Sequence, residues 1–136
     1  MHDAYHDERT VQIINPIAMT TANANGASVD LLGYRKCRLV AGFGLSSATL
    51  GGSNLATVRF MESSDNSAFT AIADTDLIGG NNTQVIDANA EANTCYQRSY
   101  IGSKRYVTIR IEPTGTIATT VSAYAEVGEP THAPIA

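Results

Sequence analysis

The chain has few of the residue types on which several common functions depend. It contains no tryptophan, two cysteines and three histidines in 136 residues. No segment approaches the roughly 18 consecutive apolar residues that a membrane-spanning helix needs. Residues 1–9 lack the basic start and the apolar run of a signal peptide. We therefore expect a soluble protein that is made in a cytoplasm and has no membrane partner.

Charged residues are also sparse. Nine basic and thirteen acidic residues give a net charge of −4, and 16% of the residues are charged. This balance does not predict a broad basic face of the kind that holds a phosphate backbone. Nucleic acid is therefore not an expected partner.

The positions of the histidines argue against catalysis. His2, His6 and His132 all lie in terminal segments, where no rigid strand can hold an imidazole beside a nucleophile. His2 and His6 have the i, i+4 spacing of a metal pair on a helix, but the residues around them neither begin nor pack such a helix. We expect no enzymatic activity, no catalytic residue, and no metal or other cofactor.

Two smaller groups of residues leave alternatives open. Cys37 falls on an inward strand face, so free thiols are the expectation, with a Cys37–Cys95 disulfide between adjacent strands as the alternative under oxidising conditions. Asp65, Asp74 and Asp76 are expected to form a plain acidic loop. The alternative is an irregular calcium site, because hard cations prefer carboxylate oxygens.

Short segments of alternating apolar residues predict an all-β fold. Successive side chains of a strand point to opposite faces, and this alternation is clearest at 36–43, 55–62, 105–112 and 117–127. The predicted inward residues are Cys37, Leu39, Ala41 and Phe43; Ala56, Val58 and Phe60; Val107, Ile109 and Ile111; and Ile117, Thr119, Val121, Ala123, Ala125 and Val127. Weaker segments at 11–19, 28–32, 84–87 and 96–101 bring the total to about eight strands.

The segments between these strands carry turn residues and no helical pattern. Gly51-Gly52-Ser53-Asn54 separates two strong strands, and Pro113-Thr114-Gly115 is predicted to join the two best strands as a tight hairpin. Because helix is expected to be scarce, the pattern favours an antiparallel β-sandwich, similar to a jelly roll, in one domain.

The two ends differ from the middle, which predicts three parts. Residues 1–17 are expected to form an N-terminal arm, residues 18–128 the sandwich domain, and residues 129–136 an extended tail. Pro16 cannot donate to a ladder, so this segment belongs at a sheet edge. We expect the arm to bind a neighbouring subunit and its removal to leave a folded sandwich. The arm residues predicted to make this contact are Val11, Ile13, Ile14, Pro16 and Ile17.

A local basic cluster completes the predicted partner interface. Arg35 and Lys36 are adjacent, and Lys104 and Arg105 lie elsewhere in the chain. These residues either form solvated strand ends that pair with nearby carboxylates or dock on an acidic protein surface.

Three segments resemble small structural proteins of tailed bacteriophages and prophages. They are VDLLGYRK at 29–36, VRFMESSDNSAFTAI at 58–72, and YIGSKRYV at 100–107, and the resemblance covers residues 28–128. It rests on an E-S-x-D turn before an aromatic residue and on a Y-x-G-x-K-R-Y segment that opens a late strand.

This resemblance implies a virion β-sandwich that decorates, or cements, the capsid surface. The expected partner is the major capsid protein, which the chain would bind as a homo-oligomer, a trimer at lattice three-fold positions. One alternative is a receptor- or carbohydrate-binding module of a tail or fibre, to which the absence of tryptophan and the six tyrosines give limited support. A tail-tube or head-tail joining protein is the other.

Overall fold

A computed structural model describes residues 3–131 as an all-β sandwich. A short helix, α1 (Ala4–Asp7), precedes eleven strands, and two 3-10 turns occupy Asp74–Asp76 and Asn89–Glu91. The strands are β1 (Glu8–Met19), β2 (Ala24–Asn25), β3 (Val29–Asp30), β4 (Tyr34–Phe43), β5 (Leu55–Ser63), β6 (Thr70–Ala71), β7 (Leu77–Ile78), β8 (Thr83–Ile86), β9 (Cys95–Tyr100), β10 (Tyr106–Thr114) and β11 (Thr119–Pro130). In this part of the chain no helix is long and apolar enough to cross a membrane.

The strands form two sheets in which the described pairings are antiparallel. The first sheet has the order β1-β11-β4-β9-β7, and the second has the order β2-β10-β5-β6, with β3 also paired to β10 and β8 to β5. The fold class and the scarcity of helix are therefore confirmed. The strands that the sequence did not predict, β2, β6 and β7, have two residues each, which is too short for an alternating pattern.

The core lies between the sheets and contains the predicted inward residues. The inward positions of β4, β5, β10 and β11 are all at most 5% exposed, and Ile117 before β11 is fully buried. At roughly 1.5–3 kcal/mol for each large aliphatic or aromatic side chain removed from water, this apolar layer is the main stabilising contribution. Alternation therefore identified the core side of the four longest predicted strands.

The predicted β10–β11 hairpin is wrong. β10 pairs with strands of the second sheet and β11 with strands of the first, so residues 115–118 carry the chain across the sandwich. Gly115 adopts a φ of 68° within this crossing, and the Thr116 N–H donates to Asn54 Oδ1 at 3.1 Å. A side chain from the β4–β5 connection thus fixes the corner, and local turn chemistry did not reveal it.

The predicted N-terminal arm is instead an edge strand. Residues 8–19 pair with β11 along its length, and the ladder shifts register between Gln12 and Ile14 and again before Ile17. Such a β-bulge places an extra residue in one strand, which explains why consecutive Ile13 and Ile14 are both buried. Val11 is half-buried, and Ile17 is 53% exposed. Ile13 and Ile14 therefore belong to this domain's own core and are not free to contact a neighbour.

The edge position expected for Pro16 is confirmed, because β1 ends the first sheet. Part of this edge is covered, since the Ala27 N–H donates to the Ile13 carbonyl at 2.9 Å. At the other terminus β11 continues to Pro130, so the strand extends two residues into the predicted tail. His2, His132 and the rest of that tail lie outside the described residues.

The two cysteines are free and far apart. Cys37 lies opposite Tyr100 in the β4–β9 ladder, whereas Cys95 lies opposite Gly42. The five-residue offset between these pairs corresponds to roughly 16 Å along a strand, which is too far for a disulfide. Cys37 is buried and Cys95 is exposed, so the disulfide alternative is excluded, and only the first thiol lies in the core.

Candidate functional site

A cleft of about 510 Å³ opens at the end of the sandwich where β4 and β10 begin and β9 ends. Residues 31–37, from the β3–β4 connection and the start of β4, form one wall, and residues 100–105, from the β9–β10 loop, form the other. Both walls belong to segments that the sequence analysis connected with phage structural proteins. The strands of a packed core therefore hold two loops facing a common space.

The cleft brings together all four basic residues that the sequence analysis assigned to a partner interface. Arg35, Lys36, Lys104 and Arg105 line it, and its lining includes no acidic residue. Sequence alone placed these cations in two separate pairs. The fold makes them neighbours, because β4 and β9 are antiparallel and β4 therefore begins at the end of the sandwich where β9 ends.

Two of these cations are neutralised by carboxylates outside the cleft. Arg105 donates from Nε and a terminal nitrogen to Asp30, at 2.8 and 2.7 Å, and this hydrogen bonding holds the pKa of Asp30 below its usual value. Lys36 Nζ donates to Glu8 at 2.5 Å, which raises the pKa of Lys36. Within residues 3–131, Arg35 and Lys104 have no carboxylate at salt-bridge distance, so the cleft keeps net positive charge.

Exposed aliphatic side chains accompany this charge. Leu32 is 68% exposed and Ile101 is 57% exposed, and both line the cleft. Ile78, also exposed, lies on the strand next to β9 with Ser99 as its register partner. Ile101 lies two residues beyond Ser99, on the same side of an extended chain, which places it as a diagonal neighbour of Ile78. An aliphatic strip therefore borders the cationic cleft.

Tyr100 fixes the shape of the β9–β10 loop. Its hydroxyl donates to Glu62 Oε2 at 2.6 Å and accepts the Lys104 N–H at 2.9 Å, and burial together with Glu62 raises the pKa of Tyr100. A Cβ on Gly102 would lie 2.5–2.6 Å from the phenol ring, so the loop needs glycine there. In the Y-x-G-x-K-R-Y segment, Tyr100 thus holds the backbone that carries Lys104.

The second tyrosine of this segment has a different role. The Arg105 guanidinium carbon lies 5.0 Å from the centre of the Tyr106 ring, a cation–π distance. The ring and Asp30 together hold Arg105 at the rim of the cleft. The two tyrosine rings therefore support different parts of the loop.

A second groove, of about 310 Å³, continues from the cleft onto the outer face of the first sheet. Both share Arg35, Lys36 and Ile101. The Lys36 side chain crosses β11 to reach Glu8, and a Cβ on Gly128 would lie 2.6 Å from Lys36 Cε. Glycine at 128 therefore permits the cross-strand ion pair that forms part of the groove floor.

The acidic residues considered for calcium have local roles. Asp65 accepts hydrogen bonds from the Ser63 hydroxyl and from the N–H groups of Ser67 and Ala68, and this backbone bonding lowers the pKa of Asp65. Asp74 Oδ1 accepts the Asn82 N–H at 2.7 Å. Residues 3–131 bring no three His, Cys, Asp or Glu side chains together as a metal site.

Sequence reasoning missed the apolar half of the site. Leu32 was included in a weak strand and Ile101 at the end of another, and neither was assigned a surface role. The sequence signal that could have identified them is their position next to a glycine that ends a predicted strand segment. Leu32 precedes Gly33, and Ile101 precedes Gly102. The predicted interface residues of β1, by contrast, do not line the cleft.

Comparison with known proteins identifies structural neighbours and no sequence family. No protein-family model matches the chain, and no curated protein matches it in sequence. The crystal structure of PBSX exported protein XepA superposes with a TM-score of 0.57 at 17% identity, covering 94% of this chain and 39% of that one. SPBc2 prophage-derived protein YomS gives a TM-score of 0.49 at 14% identity, with 89% and 92% covered.

The similarity to XepA shows the fold. The chain spans about two-fifths of the length of XepA, so this sandwich also occurs as part of a longer polypeptide.

Proposed function

We propose that this chain is a phage-related structural protein that acts by binding and decorates the exterior of a capsid. The observation that carries the proposal is the cationic cleft bordered by exposed aliphatic residues at one end of the sandwich. The sequence resemblance to virion proteins and the fold shared with XepA support it.

The chemistry of the cleft fits binding better than catalysis. Its ionisable groups comprise four cations, the phenols of Tyr34 and Tyr100, and the thiol of Cys37. Burial raises the pKa of Cys37 to about 12, so that thiol is protonated at neutral pH and is a poor nucleophile. The cleft lining contains no carboxylate or histidine to act as a general base. Fixed cations beside aliphatic groups are suited to hold a partner surface.

We place the proposed interface at the cleft and not on β1. Ile13 and Ile14 pack inside their own domain, so they cannot also be buried against a shell subunit. In the proposed mode each copy instead places the cleft against the major capsid protein, and a trimer at a three-fold lattice position presents three clefts. Modest contacts repeated over a lattice then add through multivalency.

The test is co-sedimentation of the purified protein with capsids assembled from the major capsid protein of the genome that encodes it. We expect saturable binding at a fixed ratio of chains to capsid subunits, and light scattering of the free protein gives its oligomeric state. Absence of binding to such capsids would refute decoration. Glycan-array binding without capsid binding would instead favour a receptor-binding module.

A further inference from the structure

The cleft and the neighbouring groove form one continuous path. They share Arg35, Lys36 and Ile101, and the path runs from the β9–β10 loop across the start of β4 to the outer face of the first sheet. An open path of this kind fits an extended chain better than a compact ligand, because an extended chain meets the wall along its whole length.

The free charges along this path lie on opposite walls. Arg35 belongs to the β4 wall and Lys104 to the loop wall, and neither has a carboxylate partner in the described structure. Leu32 and Ile101 expose aliphatic surface beside them. A complementary partner therefore needs carboxylates for the two cations and aliphatic side chains for the two apolar residues.

We propose that this path binds an extended acidic peptide segment in which pairs of consecutive carboxylates alternate with pairs of consecutive aliphatic residues. The inference rests on the proposed function and specifies the chemistry of the partner at the same site. Successive side chains of an extended chain point to opposite sides, so two consecutive carboxylates face opposite walls, and two consecutive aliphatic residues do the same. Arg35 and Lys104 pair with carboxylates, while Leu32 and Ile101 pack against the aliphatic side chains.

The composition of the path favours a peptide over a nucleic acid. Sequence-tolerant binding of single strands uses exposed aromatic rings on which bases stack, and the exposed large hydrophobics at this path are aliphatic. The net charge of −4 also opposes the approach of a long polyanion. A short acidic segment meets mainly the local positive field, because the two carboxylates of the groove, Glu8 and Glu126, are paired with Lys36 and Arg38.

The loop wall is held in place before any partner binds. Tyr100 bonds both Glu62 and the Lys104 backbone, and Asp30 holds the Arg105 side chain by two hydrogen bonds. A preorganised wall lowers the entropic cost of association. Tyr100 is therefore a positioning residue for the path and not a contact to the peptide.

The test measures binding of a fluorescein-labelled peptide that repeats the sequence Glu-Glu-Val-Val, by fluorescence anisotropy. The control peptide has glutamine in place of glutamate. Arg35→Glu and Lys104→Glu should each weaken binding about tenfold, because each replaces an attractive charge pair by a repulsive one. Arg9→Glu, an exposed site that does not line the path, makes the same change in net charge and should leave the affinity within about twofold.

The outcomes separate this inference from the proposed function. Equal affinity of the wild type and both path variants, or equal binding of the glutamine peptide, overturns the inference. Tighter binding of an oligothymidylate than of the acidic peptide overturns the choice of partner class. If the wild-type protein sediments with capsids but binds no acidic peptide, the inference fails and capsid decoration stands. If it binds the peptide but no capsid, decoration fails.

Discussion

Replacing Tyr100 by phenylalanine tests whether its hydroxyl holds the β9–β10 loop. The substitution keeps the ring against Gly102 and removes one hydrogen bond to the buried Glu62 carboxylate and one from the Lys104 N–H. A hydrogen bond to a charged group contributes about 1.5–3 kcal/mol, while the exposed Lys104 N–H can bond water instead. We expect a loss of about 2–3 kcal/mol in the free energy of unfolding, a substantial part of the 5–15 kcal/mol typical of a domain.

The assay is urea denaturation followed by circular dichroism, with Tyr106→Phe as the matched control. With a denaturant slope of roughly 1–3 kcal/mol per molar, the midpoint for Tyr100→Phe should fall by roughly 0.7–3 M. The pKa of Tyr100 is raised in the folded state, so its contribution is complete below the unfolded pKa of about 10 and is lost as pH rises above it. The difference between wild type and variant should therefore shrink above pH ~10.

A free energy of unfolding for Tyr100→Phe within about 0.5 kcal/mol of that for Tyr106→Phe would refute the reasoning, since surface changes lie in that range. A difference that stays constant to high pH would refute the ionisation argument alone. Circular dichroism at neutral pH shows whether the variant is folded before either comparison is made.

Three further predictions concern β1 and the thiols. Ile13→Ala should lower the free energy of unfolding by about 2–4 kcal/mol through lost burial and a cavity. Ile17→Ala should lower it by about 0.5 kcal/mol or less. Equal effects of the two substitutions in urea denaturation would mean that β1 is not part of the core. Deletion of residues 1–17 should leave the chain insoluble or unfolded, and a cooperative melt of the truncated protein would contradict this. At pH 8 a thiol reagent should modify Cys95 quickly in the native protein and Cys37 only in denaturant, because burial raises the pKa of Cys37 to about 12. Fast modification of both thiols in the native protein would count against the buried position of Cys37.

Alternation predicted which side of each long strand faces the core, because that choice depends only on residues within the strand. It could not predict strand partners. The stretch around Pro113 and Gly115 has the composition of a hairpin, yet the chain crosses to the other sheet there, held by Asn54 from a distant loop. A contact between residues 62 positions apart leaves no local pattern in the sequence.

The same limit explains the error in β1. A strict period of two allows only one of two consecutive residues to face inward. The consecutive Ile13 and Ile14 break this period, so the sequence around them does not show a side that faces the core. The bulge that buries both is visible only in the ladder with β11. For the site, the four cations form two separated pairs in the sequence, and they line one cleft only because β4 begins at the end of the sandwich where β9 ends.

The features of the β1 edge also bear on how copies of this chain can associate. Pro16 removes a backbone donor from this edge, the register shifts distort it, and Ala27 already bonds the Ile13 carbonyl. Arg9 is an exposed charge on this edge strand, a feature that opposes strand addition. Growth by edge pairing along β1 is therefore disfavoured. The cationic end of the sandwich, by contrast, has exposed aliphatic residues, two cations without carboxylate partners in residues 3–131, and a preformed wall. Association through that end leaves both sheets intact, as the proposed role in a capsid lattice requires.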